Sequence, residues 1–297
     1  MSDTSSQNRS QPARRAPVAV LGAGTMGHGI AQVSAQAGRP VMLHDPSAEA
    51  LENGIRRIRA NLEKGVALGK VDRGERDGAL ERIRPADTLQ EAVAGAGVVI
   101  EAAPERMELK RTLFRQVEGA APEDALLATN TSSLSIGDIA QGLDHPERFL
   151  GLHFFNPVHI MALVEVVHGP RTGEEARERG VAFARELGKE PIVVRDSPGF
   201  ASSRLGVALG LEAIRMVEED VASPRDIDQA MELGYRHPMG PLRLTDLIGL
   251  DVRLGIAGYL HETLGDGRFR PPELLKKMVA EGKLGRKSGE GFYHWDD

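Results

Sequence analysis

The chain contains no cysteine, which excludes disulfides, thiolate metal sites and a cysteine nucleophile and fits a reducing compartment. No run of about 18 apolar residues occurs, so no helical membrane span is expected. The first fifteen residues, MSDTSSQNRSQPARR, lack the apolar stretch of a secretory signal and read as a disordered polar tail. Positive charge is not in excess. A formal net charge of −6 argues against binding a nucleic-acid backbone, while leaving room for a local basic patch toward a nucleotide-like ligand. No internal repeat and no further low-complexity segment is present. The absences together suggest a cytoplasmic protein, with no metal site and no membrane partner.

What remains is ordinary globular composition: 297 residues, 41% hydrophobic and 27% charged, which is material for two domains. Short β-rich runs alternate with helical patterns through the first two thirds. APVAVLG (16–22) and PVMLHD (40–45) bracket a helix-like MGHGIAQVSAQAG. A long charged helical stretch follows (about 47–84), then VVIEAA (98–103), a helix at about 106–119, and ALLATN (125–130). GLHFF (151–155), LVEVVH (163–168) and PIVVRD (191–196) come next, the last after a helical GEEARERGVAFARELG. Strands separated by helices of this length predict an α/β fold, a Rossmann-type, doubly wound, mainly parallel sheet. Runs 151–155 and 163–168 are too close for a helical crossover, so an antiparallel extension is expected there.

Beyond Asp196-Ser197-Pro198-Gly199 the pattern changes to helix after helix. LGVALGLEAIRMVEE (205–219) is apolar nearly all round, and Ser223-Pro224-Arg225-Asp226 is a helix start with a hydroxyl cap and Pro in the first turn. PMGPL (238–242) is a rigid turn before another apolar helix. The expected division is a tail at 1–15, an α/β Rossmann-type domain at 16–196 and an all-helical C-terminal domain at 197–297.

Gly22-Ala23-Gly24-Thr25-Met26-Gly27 follows an apolar strand and opens a helix. In that context Gly22 permits a tight turn, Gly24 lets the backbone approach a pyrophosphate, and Gly27 lets the helix pack close to the sheet. Asp45 ends the next strand, 18 residues past Gly27. A carboxylate there accepts from the adenosine ribose hydroxyls and repels a 2′-phosphate, so NAD is expected rather than NADP. The plain alternative is a Gly-rich turn with an incidental acid.

GLHFFNPVHIMALVE (151–165) reads as a buried strand and a turn, yet carries His153, Asn156 and Glu165. Burying such groups is costly unless each is paired. A core His–Glu pair and a catalytic one both satisfy that demand.

The ordered set VLGAGTMGHGIA, VVIEAAPERMELK, NTSSLSI, GLHFFNPVHIMALVEVV, DSPGF and LGRKSGEGFYHW resembles the NAD-dependent 3-hydroxyacyl-CoA dehydrogenases, in particular the stand-alone 3-hydroxybutyryl-CoA type, from about residue 16 onward. The resemblance implies oxidation of a 3-hydroxyacyl-CoA to a 3-oxoacyl-CoA, with His153 as general acid/base and Glu165, twelve residues later, orienting it. Adjacent antiparallel strands would bring the two together. Asn156 falls on an amide that contacts substrate and nicotinamide, and Ser132 on a serine that reaches both. Glu105 and Lys110 match cofactor contacts, although alone they read as a solvated helix face. Lys64 lies near where the family binds CoA, with a spacing that differs by a few residues. Ser203 stands where many members have an active-site Asn, a departure that shortens the side chain's reach. His159 and His168 match no motif. The resemblance also implies a homodimer through helix 205–219 and a place in fatty-acid β-oxidation. A dehydrogenase of free hydroxy acids (gulonate or carnitine) and a non-catalytic, crystallin-like NAD-binding protein are the alternatives. Phe154, where the free-acid branch has Pro, favours the CoA branch.

Overall fold

The computed structural model describes residues 15–295, so the polar tail read from the sequence lies, but for Arg15, outside the described residues. The chain divides into two compact units, one made of Met1–Thr131 with Ile136–Val193, the other of Ser132–Ser135 with Val194–Asp297.

The first unit is built on an eight-stranded sheet. Its strands are β1 (Val18–Leu21), β2 (Val41–His44), β3 (Ile83–Pro85), β4 (Val98–Glu101), β5 (Leu126–Thr129), β6 (Phe149–Phe154), β7 (Leu163–His168) and β8 (Glu190–Arg195), in the order β3-β2-β1-β4-β5-β6-β7-β8. Pairings from β3 through β6 are parallel, and β6 with β7 is antiparallel. Every residue of β1, β4, β5 and β6 is buried, as continuous apolar runs require when helices cover both faces. Those helices are α1 (Gly27–Gln36), α2 (Ala48–Ala67), α3 (Arg73–Arg82), α4 (Leu89–Val93), α5 (Met107–Ala120), α6 (Ile136–Ile139) and α7 (Glu174–Glu186).

The charged stretch expected as one helix over 47–84 is two helices and a strand. Ser47 caps α2 by accepting from the Ala50 amide, and Gly69, at φ +66°, lies in the turn beyond that helix. Asp72 then starts α3 by accepting from the Glu75 amide. The three-residue β3, half-exposed to exposed and containing Pro85, carries no period-2 signal that sequence could reveal.

The second unit is helical: α8 (Ser202–Glu218), α9 (Pro224–Gln229), α10 (Pro241–Ile248), α11 (Leu250–Leu264) and α12 (Glu273–Ala280). Its core gathers Val207, Leu211 and Ile214 of α8 with Leu242, Leu250, Ala257, Leu260 and Phe269. Ser223 caps α9 as its sequence implies. The closing GEGFYHW segment is held by one acid. Asp246 is buried and accepts from the amides of Phe292 (2.9 Å) and Tyr293 (3.0 Å) and from Trp295 Nε1 (2.9 Å). Gly291 leaves it room, since a Cβ there would stand 2.3 Å from the carboxylate.

Replacing Asp246 by Ala should strand three donors and cost about 3 kcal/mol or more, hydrogen bonds to charged groups being worth about 1.5–3 kcal/mol each. The check is a fall of several degrees in the melting transition followed by fluorescence of Trp295, the single tryptophan.

Candidate active site

Parallel pairing aligns the carboxyl ends of β2, β1, β4 and β5, and their hydrogen-bond ladder runs on into the loops. The Gly22 amide donates to His44 O (2.7 Å), Ala102 to Leu21 O (2.7 Å) and Asn130 to Glu101 O (2.8 Å). Open α/β sheets bind ligands outside this edge.

At β1 the loop is shaped by what glycine omits. Gly22 has φ +104°, and a Cβ on it would lie 2.6 Å from Ala102 O. On Gly27 a Cβ would lie 1.7 Å from Gly22 O, so α1 approaches the turn as closely as the motif implies. A Cβ on Gly24 would meet nothing within 4 Å, leaving open the side where a pyrophosphate would come. The amides of Gly24, Thr25 and Met26 have no acceptor among the described residues, and Met26 caps α1 without a side-chain bond. These amide donors at a helix N-terminus fit the dinucleotide diphosphate. Asp45 closes the loop, Oδ2 accepting from the Ala23 amide (2.9 Å) and Oδ1 from the Ser47 amide (2.9 Å). Its carboxylate is thereby aimed by backbone donors, with lone pairs left for ribose hydroxyls.

Beside it, β4, β5 and α5 carry a polar knot that includes the candidates Glu105 and Lys110 and whose Glu101–Lys110 pairing was not foreseen from the sequence. Glu101 and Lys110 are 0% and 1% exposed, and Lys110 Nζ lies 2.5 Å from Glu101 Oε1. Glu101 also accepts from Thr129 Oγ1 (2.6 Å) and the Ala103 amide (2.6 Å). Burial pushes the Glu101 carboxyl up, and Lys110 with these donors pulls against that. Glu105 reaches Lys110 at 3.4 Å and takes the Thr131 hydroxyl. Lys110 is therefore no solvated lysine on a helix face: it is the buried counter-charge of Glu101. An acid ending the apolar run VVIE was the available signal.

The next edge carries the imidazole. In the β6–β7 pairing His153 stands directly opposite Glu165, and Nδ1 lies 2.7 Å from Glu165 Oε2. The imidazole is 7% exposed and the carboxylate 0%. With the proton on Nδ1 donated to Glu165, Nε2 is the basic nitrogen. The Phe154 amide donates to Asn130 Oδ1 (2.9 Å), fastening the β5 loop to the end of β6. Lys189, also missed from sequence, is buried and donates to Val158 O (2.5 Å) and Met161 O (2.9 Å), pinning the turn after the HFFNP motif.

The remaining candidates are placed as follows. Asn156 is exposed in that turn. Lys64 is exposed in the last turn of α2. His159, also exposed, has an imidazole held below its ordinary value by partial burial and by the nearby basic side chains of His28, Lys189 and Lys64. Exposed Ser132, in the loop after β5, and Ser203, near the start of α8, belong to the second unit.

A glycine-shaped dinucleotide loop, an aspartate at the second strand and a carboxylate-held imidazole define an NAD-dependent oxidoreductase of the Rossmann class. Residues 17–197 match the family model for the 3-hydroxyacyl-CoA dehydrogenase NAD binding domain, and residues 199–295 that for its C-terminal domain. The 3-hydroxybutyryl-CoA dehydrogenase of Bradyrhizobium diazoefficiens is 44% identical over 278 residues, covering 94% of this chain and 94% of the relative. That of Mycobacterium tuberculosis is 44% identical over 93% of this chain and 97% of its own. The solved (S)-3-hydroxybutyryl-CoA dehydrogenase from Ralstonia eutropha superposes with a TM-score of 0.91 at 39% identity, covering 95% of this chain and 99% of that one. The chain belongs to the NAD-dependent 3-hydroxyacyl-CoA dehydrogenase family.

Lys110→Met should leave Glu101 as an uncompensated buried charge and cost about 3–5 kcal/mol, with Glu101→Gln in the same chain recovering part of the loss. Thermal unfolding by circular dichroism measures both. An unchanged melting temperature with weakened NAD binding would instead mark Lys110 as a cofactor contact.

Proposed function

We propose that this chain interconverts (S)-3-hydroxybutyryl-CoA and acetoacetyl-CoA, with His153 carrying the proton and Glu165 steadying it. The observation that supports this most is the buried 2.7 Å bond between His153 Nδ1 and Glu165 Oε2. NAD⁺, when bound, accepts the hydride from C3 of the hydroxyacyl chain. In this reading His153 Nε2 takes the hydroxyl proton as the C3–O bond becomes a carbonyl, and Glu165 stabilises the imidazolium that results. In the reverse direction protonated His153 returns that proton to the carbonyl oxygen. Ser132 and Asn156 hold the reacting oxygen by hydroxyl and amide donors. Ser203, shorter than the family's Asn, reaches substrate through water. Lys64 meets CoA phosphate. Gly22 to Gly27 and Asp45 hold the dinucleotide, with Glu105 beside Lys110 at its nicotinamide end.

Two further parts of the proposal concern assembly and place. The second unit leaves Leu205 (72%), Leu233 (79%) and Tyr235 (76%) exposed, with Leu244, Leu247, Ile248 and Val252 more than a third exposed. Apolar surface of this extent on one small helical unit supports a homodimer through it. No described helix is long and apolar enough to cross a membrane. The family's CoA thioester chemistry and the absence of cysteine support a cytoplasmic location.

His153→Ala should lower turnover of acetoacetyl-CoA with NADH by about 10²–10⁴-fold while NADH binding and melting temperature hold, and Glu165→Gln should lower it less. Full turnover by a folded His153→Ala variant, or faster reduction of free acetoacetate than of its CoA thioester, sinks the proposal. In sedimentation at micromolar concentration the chain should run as a dimer, and a monomer there removes that part.

A further inference from the structure

Basic side chains from α1, α2 and the turn after β6 gather at one place in the first unit. His159 feels His28, Lys189 and Lys64, and His28 in turn feels Arg57. No carboxylate acts on either imidazole. Among the described residues Arg57, Lys64 and His159 make no ion pair and no side-chain hydrogen bond. On a chain of net charge −6 this cluster is a local exception.

The backbone holds these groups in place. A Cβ on Gly29 would stand 2.8 Å from Val158 Cβ, so α1 lies directly against the turn. That contact brings His28, just before Gly29, near His159, just after Val158. Lys189 Nζ fixes the turn on both sides of His159, through Val158 O (2.5 Å) and Met161 O (2.9 Å). On α2, Arg57, Asn61 and Lys64 are spaced i, i+4 and i+7 and share one face. Asn61 Nδ2 donates to Gln32 Oε1 (3.2 Å), and Gln32 stands one turn past His28 on α1, so that face is turned toward the histidines. Arg57, Lys64 and His159 are exposed and His28 is half-buried, so an anion reaches the cluster from solvent.

A solvated basic face accounts for Arg57 and Lys64. It does not account for two imidazoles held against them with no acid between. Desolvation first, and then the neighbouring basic groups, hold both rings below their ordinary value. Both are therefore mostly neutral above pH 7 and become charged in mild acid. A phosphate seated among them acts the other way, since an opposite charge favours the protonated ring.

We propose that His28 and His159 complete, with Arg57 and Lys64, a phosphate clamp for the CoA moiety whose grip tightens as pH falls below neutrality. This rests on the preceding reading, which puts CoA phosphate at Lys64. Arg57 and Lys64 supply the constant charge, and the histidines supply the part that responds to pH.

The test measures KM of the full chain, with NADH, for acetoacetyl-CoA, acetoacetyl-3′-dephospho-CoA and acetoacetyl-pantetheine between about pH 8 and about pH 6. Dividing the KM for the CoA thioester by that for the pantetheine thioester cancels any titration of His153. The quotient should fall about threefold or more as pH falls, exposed charge pairs being individually weak. The phosphate monoester's own second ionisation, at about pH 6, works against that trend, so a fall comes from the protein. A trend lost with dephospho-CoA puts the 3′-phosphate in the clamp, and a trend kept puts the diphosphate there. Either supports the proposal. His159→Lys should hold the quotient low up to pH 8, and His28→Gln with His159→Gln should flatten it at its high value. A flat wild-type quotient overturns the proposal, and that measurement depends on no variant folding. A trend that survives the double variant also overturns it, as does one that appears in the KM of NADH instead. Failure of the wild-type chain to turn over acetoacetyl-CoA overturns the preceding reading too, whereas turnover with a flat quotient overturns this one alone.

Discussion

A carboxylate with no exposed surface is the constraint around which this edge of the sheet is organised. Glu165 is held inside the sheet by a cross-strand imidazole, and the antiparallel register of β6 and β7 sets the two opposite one another. Slipping one strand by one residue would turn one of the two side chains to the other face of the sheet, away from its partner. The turn between the strands is correspondingly fixed: Lys189 ties down two of its carbonyls, and Asn130 bonds the last amide of β6. Positioning the imidazole is thus a property of strand pairing, with the loops secured around it.

The rest of the first unit contributes alignment. Because β1, β2, β4 and β5 are parallel, their loops emerge at one edge, and each performs a separate task there. The β1 loop is carved by glycines, Asp45 follows β2, and β4 ends in Glu101, which pairs with Lys110 of α5 and accepts from the Thr129 hydroxyl of β5. Covering helices make the strands uniformly apolar, so polar groups are concentrated at the strand ends, where they meet solvent, ligand or one another.

That arrangement explains what was legible beforehand. The glycine loop, Asp45, the alternation of strands and helices, and the close spacing of 151–155 and 163–168 all leave local marks, since each is a matter of backbone conformation or periodicity. The helical character of the second unit was equally plain. The Glu101–Lys110 pairing was not: the resemblance marked Lys110 only as a cofactor contact, and helix periodicity cannot tell a lysine on a solvated face from one reaching beneath it to a buried acid. Lys189 was hidden for a related reason: its partners are carbonyls, which carry no sequence signature. The break at Gly69 and the brief β3 were lost inside a charge pattern that continues unchanged across both helices.

Asp246 has a consequence at the other end of the fold. The donors that neutralise it come from Phe292, Tyr293 and Trp295, and Gly291 makes the space it fills. An exopeptidase that nibbled back to Gly291 would remove no helix and no strand, yet would leave an anion sealed in an apolar interior. Such a shortened chain would behave as misfolded cargo for quality-control proteases rather than as a trimmed but sound protein, and an affinity tag is better appended after Trp295 than substituted for it.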